Sequence, residues 1–210
     1  MLTLALDTAG EFGSIALADG DRTLEEVALH GSGGFAQSLF GELDALLHRH
    51  SVKLADIELY AAASGPGSFT GVRIGLAAIK GLAEVAGRPA IGISNLEALA
   101  EFGTADLRAP VIDARRGEVF AAVLNRAGEF IVAPVVLPFE KFVAETSELE
   151  IEWISAGFDL GRKATNAPHQ LAGAIARVAI RRRLAGEHCE PAAIEANYVR
   201  RSDAEIHWKP

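Results

Sequence analysis

The segment Gly65-Pro66-Gly67-Ser68-Phe69-Thr70-Gly71-Val72-Arg73-Ile74-Gly75 constrains this chain more than any other stretch. It follows the apolar run Leu59–Ala63 and opens a helical pattern, so it reads as the turn of a strand–helix unit. A glycine-rich turn at a helix start can cradle phosphate on free backbone N–H groups. The known phosphate patterns do not fit, however. There is no Gly-Lys-Ser/Thr, and the glycine spacing misses the dinucleotide fingerprint by one residue. Nor is the segment Gly-x-Ser-x-Gly, which excludes a hydrolase nucleophile elbow. Ser68 is instead a natural helix N-cap. Gly67, Gly71 and Gly75 recur at four-residue spacing and Ala78 follows, leaving one helix face without side chains. A glycine inside a helix costs about 1 kcal/mol relative to alanine, so the repeat implies a compensating close contact. The contact is with another helix, with the opening strands or with a partner; packing or docking explains more of the segment than ligand cradling does.

The flanking sequence is that of an α/β protein. Leu2–Leu6, Ser14–Ala18 and Leu24–Leu29 read as short strands, the last two joined across Asp19-Gly20-Asp21, a hairpin signal. Phe35, Leu39, Leu43, Leu46 and Leu47 fall at helical spacing. The strand Leu59–Ala63, the helix from Ser68, the strand Ala90–Ile93 and a short helix from Ser94 complete a βββαβα order. Beyond Gly103 the signal weakens. Val111–Asp113, Glu118–Leu124 and Ile151–Ala156 read as strands, and Leu171–Leu184 as a helix, with no convincing internal repeat. Two lobes are expected, 1–102 and 103–210.

Charge restricts the partners. The net charge is −8, and residues 1–102 hold 6 Lys+Arg against 13 Asp+Glu. Nucleic-acid affinity rests largely on Lys and Arg neutralising phosphates, so the first lobe is a poor RNA binder alone. A single cysteine, Cys189, excludes an internal disulfide framework and a multi-cysteine zinc site. The start MLTLALDTAG reaches Asp7 too soon for a signal peptide, and no apolar run is long enough to span a bilayer. The expected location is the cytoplasm.

The remaining chemistry is thin. Asp7-Thr8 closes the first strand, where an actin-like nucleotide fold has its metal-orienting carboxylate; a strand-end Asp capping its own turn is the plainer reading. Asp113-Ala114-Arg115-Arg116-Gly117-Glu118 lies on the matching hairpin of the second lobe, where a phosphate-binding turn wants Gly in place of Arg115. Its arginines either decorate a turn, pair with acids across an interface, or touch a nucleotide from a partner. None of the six histidines forms a His-x-x-x-His pair, and His48 and His50 read as exposed. Arg181, Arg182 and Arg183 suit the negative end of a helix.

Taken together, Ala5-Leu6-Asp7-Thr8, the Gly65–Gly75 block, Lys80-Gly81-Leu82-Ala83, Ser94-Asn95-Leu96-Glu97-Ala98-Leu99, Asp113–Phe120 and the terminal Tyr198-Val199-Arg200-Arg201 resemble the TsaB (YeaZ) family, in order and over nearly the whole chain. The resemblance implies an actin/Hsp70-like (ASKHA) two-lobed fold with a reduced second lobe. It also implies an accessory subunit, not catalytic by itself, that pairs with a TsaD-like transferase for threonylcarbamoylation of the adenosine beside the tRNA anticodon. The helices Gly34–His50 and Ser68–Ala86 would then form the docking face, through Phe35, Leu39, Leu43, Ser68, Gly71, Val72, Gly75 and Ala78. Asp7, Thr8, Arg115 and Arg116 become candidate nucleotide or interface contacts. A TsaE-like ATPase is a further implied partner, and tRNA is reached mainly through the complex. The chain has no cofactor or metal of its own on this view, which leaves open ATP or ADP at the interface and a homodimer of the free chain. Where the family commonly has a histidine at the start of the first long helix, this chain has Phe35. Rival expectations are a self-sufficient ATPase or sugar-kinase-like enzyme using Asp7 and the Gly65–Gly75 loop, and a metallopeptidase.

Overall fold

In the computed structural model, which describes residues 1–29 and 34–199, the strands are β1 (Leu2–Asp7), β2 (Gly13–Asp19), β3 (Arg22–Leu29), β4 (Leu59–Gly65), β5 (Ala90–Ser94), β6 (Leu107–Asp113), β7 (Glu118–Asn125), β8 (Phe130–Pro138), β9 (Glu152–Ser155) and β10 (Thr165–Asn166). The helices are α1 (Phe35–Arg49), α2 (Phe69–Ala86), α3 (Asn95–Ala100), α4 (Phe139–Glu145) and α5 (Ala172–Leu184). Ser68 caps α2 as expected, its hydroxyl accepting from the Gly71 N–H. The hairpin signalled by Asp19-Gly20-Asp21 is present: β2 and β3 pair up to Asp19 opposite Arg22, and the turn passes through Gly20 at positive φ.

Among the described residues, ten strands form two sheets of one topology. The first runs β3-β2-β1-β4-β5 and the second β8-β7-β6-β9-β10. In each, the first three strands in sequence pair antiparallel and the last two join in parallel. The repeated plan, invisible as sequence identity, makes this an α/β protein of the actin-like type.

The chain's contacts gather into two units: Met1–Asn95 with His169–Ala196, and a second built on Leu96–Pro168. This departs from the expected division at residue 102. The reason is α5, which packs on β1, β2 and β4 of the first sheet. Its run Ala172-Gly173-Ala174-Ile175-Ala176 is buried, and small side chains let the helix lie close to the strands. Successive strand residues face opposite sides, and Leu4, Ala5, Leu6, Ile15, Ala16 and Leu17 are all fully buried. Sheet one is therefore covered on both faces.

In the second unit, Ala109, Val111, Val119, Ala121, Val123 and Phe142 form one core, and Leu96, Ala100, Ala122 and Leu124 another, so sheet two is also covered twice. Buried Arg108 ties its elements together, donating to the Ala100 carbonyl at 3.0 Å and the Asn125 carbonyl at 2.6 Å. Strand β8 and helix α4 carried no clear sequence signal. Pro134 interrupts the apolar run, which argues against a strand, and the structure tolerates it because β8 is a sheet edge with a shifted register. Among the described residues no helix is long and apolar enough to cross a membrane.

Candidate functional site

The Gly65–Gly75 block and Asp7-Thr8 meet in the first unit. A Cβ on Gly67 or Gly71 would fall well inside 3.0 Å of the Ala9 or Thr8 carbonyl oxygen, and one on Gly75 would lie 2.6 Å from Thr8 Oγ1. The bare face of α2 is thus filled by the backbone after β1. Thr8 Oγ1 donates to the Gly71 carbonyl at 2.7 Å, and the Ser68 N–H donates to the Ala9 carbonyl at 2.6 Å. Asp7 Oδ1 accepts from the Ala9 N–H at 2.9 Å and from the Asn95 amide at 3.3 Å, while Asn95 Oδ1 accepts from the Gly65 N–H at 3.1 Å. Asp7 and Thr8 are 2% and 1% exposed. Burial pushes the Asp7 carboxyl up to about 6, against the lowering effect of the Ala9 N–H and the Asn95 amide. The arrangement is a hydrogen-bonded knot joining β1, β4, α2 and the start of α3. Asp7 and Thr8 are thus packed in the interior of the first unit, hydrogen-bonded to its own backbone and to Asn95.

The expected docking residues sort differently from the expectation. Phe35, Leu39, Leu43, Gly71, Val72, Gly75 and Ala78 are buried inside the first unit, and only Ser68 among them is exposed. The correction has a simple cause: the apolar stripe of each helix faces its own sheet first. Phe35 lies over Gly13, where an added Cβ would meet its ring at 2.8 Å, so Phe35 packs the core.

The outward faces of α1 and α2 hold other residues. Phe40 is 56% exposed, Phe69 42% and Val85 86%. The Arg73 guanidinium sits 3.6 Å from the centre of the Phe69 ring. Gly41 and Gly81 point a bare backbone outward, with nothing within 4 Å of a built Cβ. The helix-interior glycine argument therefore applies to these two, which sequence spacing did not single out.

Further candidates fall into place locally. Arg115 and Arg116 are exposed on the β6–β7 turn of the second unit, and Arg115 pairs with Asp113 at 3.3 Å. Arg182 pairs with Glu187, and Arg183 donates to the Glu187 carbonyl, so these arginines close the end of α5. His50, half-buried, shares Glu25 with Arg49. Burial raises the Cys189 thiol above its ordinary range, which disfavours the reactive thiolate. Sequence reasoning missed Glu26. It accepts from Ser14 Oγ at 2.9 Å and from the Gly173 N–H at 3.2 Å, while the Ala172 N–H donates to Ser14 Oγ. Its carboxylate thereby caps α5 from across the sheet. Arg200 and Arg201 of the terminal motif lie outside the described residues.

Known proteins resemble this chain in sequence and in fold. The family model of TsaD, tRNA N6-adenosine threonylcarbamoyltransferase, matches residues 32–158. The tRNA threonylcarbamoyladenosine biosynthesis protein TsaB of Escherichia coli (strain K12) is 34% identical over 179 residues, covering 78% of this chain and 77% of that protein. The tRNA N6-adenosine threonylcarbamoyltransferase of Solidesulfovibrio magneticus is 34% identical over 113 residues, 47% of this chain and 30% of that protein. The solved structure of YeaZ from Pseudomonas aeruginosa superposes with a TM-score of 0.76 at 28% identity, covering 93% of this chain and 99% of that one.

Proposed function

This chain belongs to the TsaB family, and from that premise we propose that it serves tRNA threonylcarbamoyladenosine biosynthesis as a non-catalytic scaffold and activator. Its partner on this reading is a TsaD-like transferase, which modifies the adenosine adjacent to the anticodon. The observation that carries the non-catalytic part is the state of Asp7. A metal-orienting or nucleotide-orienting carboxylate needs open lone pairs in a reachable cleft. Asp7 is buried, and the Ala9 N–H and the Asn95 amide occupy it. Thr8 is likewise committed to Gly71. The same burial disfavours the kinase-like reading. The histidine positions disfavour the metallopeptidase one, since no two are four apart.

The docking face we assign is the outer side of α1 and α2. Exposed Phe40 and Phe69 supply the aromatic anchors that enrich protein interfaces. Gly41 and Gly81 let a partner helix approach closely, which gives these helix-interior glycines a physical reason. A second copy covers the same face when the chain is alone. ATP or ADP belongs at the interface with the partner, and a TsaE-like ATPase joins the assembly. With a net charge of −8 the chain leaves most tRNA contact to other subunits.

The test has two arms. The purified chain is expected to show neither ATP turnover nor threonylcarbamoyl transfer, and transfer by a TsaD-like protein is expected to rise when the chain is added. Phe40→Asp should fold normally by circular dichroism and bind the transferase at least about tenfold more weakly, a loss of roughly 1.4 kcal/mol. Unchanged affinity in the folded variant removes the docking assignment. Steady ATP hydrolysis that disappears in Asp7→Asn removes the non-catalytic reading.

A further inference from the structure

Strand β10 pairs with β9 at only two rungs, Thr165 with Ile154 and Asn166 with Ser155. Beside the start of β9 the second sheet therefore has no next strand, and an open cavity of about 680 Å³ occupies the notch. Its walls are the segments 104–106, 150–153 and 163–165, together with Arg126. One carboxylate ties the three segments together. Glu152 accepts from the Thr104 N–H at 2.6 Å and the Ala105 N–H at 2.7 Å through Oε2, and from the Thr165 hydroxyl at 2.6 Å through Oε1. Partial burial raises its carboxyl, but those three donors and the Arg108 charge outweigh that effect and hold the group below the usual carboxylate range. Trp153 is fixed as well. Phe139 and Phe142 meet its ring nearly at right angles, with centres 5.4 and 6.0 Å away, and the Arg162 guanidinium lies 4.9 Å from the ring centre. The cavity is thus preformed by interactions within the second unit.

The charges that line it sort into two sets. Arg126 and Asp106 pair with each other at 3.1 Å, and Glu152 is satisfied by its three donors. Lys163 and Glu150 are left. Neither has a hydrogen bond or an ion pair among the described residues, and they do not pair with each other. One unpaired ammonium and one unpaired carboxylate therefore line a shared cavity whose remaining wall includes the apolar surface of Ile151, Trp153 and Ala164. We propose that the cavity binds a small zwitterion, an α-amino acid with an apolar or aromatic side chain, its carboxylate on Lys163, its ammonium on Glu150 and its side chain against Ile151 and Trp153. An inorganic anion would use Lys163 alone, and a metal ion Glu150 alone. A ligand with both charges satisfies both groups and adds no net charge to the cavity. A preformed concavity with an apolar wall and a few placed polar groups is the usual form of a small-molecule site.

The experiment titrates the full chain with L-phenylalanine and with L-leucine by calorimetry at low salt. Binding with a Kd below about 1 mM is expected for at least one of them. Lys163→Met and Glu150→Gln should each weaken it at least about tenfold. Both side chains are exposed, so circular dichroism and Tm should show the variants folded as the wild type is. Two derivatives assign the groups. L-phenylalaninamide, which lacks the carboxylate, should bind more weakly and be indifferent to Lys163→Met. N-acetyl-L-phenylalanine, which lacks the ammonium, should bind more weakly and be indifferent to Glu150→Gln. Neither heat nor a shift of Tm with either amino acid up to about 10 mM overturns the proposal and leaves Lys163 and Glu150 as solvated surface charges. So does binding that both substitutions leave unchanged, which puts the ligand elsewhere on the chain. No transferase enters the assay, so these outcomes leave the functional reading above untouched.

Discussion

Replacing Gly71 by alanine is expected to destabilise the first unit by about 2–3 kcal/mol, while the same change at Gly81 should stabilise it by up to about 1 kcal/mol. Both glycines lie within α2, so helix propensity favours alanine equally at each. The difference comes from what the new methyl group meets. At Gly81 it meets nothing within 4 Å. At Gly71 it would fall inside 3.0 Å of the Thr8 carbonyl oxygen, a backbone atom with no rotamer to escape into. Overpacking of this kind costs about 1–3 kcal/mol, and a rigid neighbour puts the value near the top of that range. Helix and turn must separate to relieve it, which breaks the Thr8 to Gly71 hydrogen bond, worth about 1 kcal/mol net. The helix-propensity gain offsets up to about 1 kcal/mol of this total. Thermal unfolding followed by circular dichroism should place the Gly71→Ala midpoint about 4–12 °C below wild type and the Gly81→Ala midpoint at or above it. Two variants shifting in the same direction by similar amounts would refute the reasoning, because propensity and not the Thr8 contact would then be deciding the outcome.

Asp7→Asn is expected to stabilise the chain at pH 7. The folded carboxyl sits at about 6 against an unfolded value near 3.8, so the folded state holds the extra proton between about pH 4 and 6 and loses stability as pH rises through that window. The penalty is complete near pH 7 at about 3 kcal/mol, and a pH series of denaturant melts should show the slope flattening in the variant; parallel profiles would contradict it. Glu26→Ala should cost about 1–2 kcal/mol by uncapping α5, with Glu26→Gln losing less. Melting curves unaffected by either change would show that α5 does not depend on this carboxylate.

The apolar periodicities and turn residues of the sequence determined most of the first unit. Alternation and turn chemistry are local, so β1, β2, β3, α1, β4, α2, β5 and α3 all appear in the expected order, with Ser68 capping α2. The glycine spacing likewise announced a close approach along α2. What it could not announce was the neighbour. A helical repeat says which residues share a face, but the sheet to which a face is applied depends on contacts between segments far apart in the chain. Only the tertiary structure turned Gly71 and Gly75 inward onto Thr8 and left Gly41, Gly81 and Phe40 facing outward. It also carried α5 back to the first sheet, where Ser14 and Glu26 receive the N–H groups at its start. Strand β8 was hidden for a related reason, since Pro134 is compatible with a strand only at a sheet edge, and an edge exists only once the neighbouring strands have paired. In each case, local sequence chose the element and distant residues chose its surroundings, because burial and hydrogen-bond satisfaction are settled between elements and not within them.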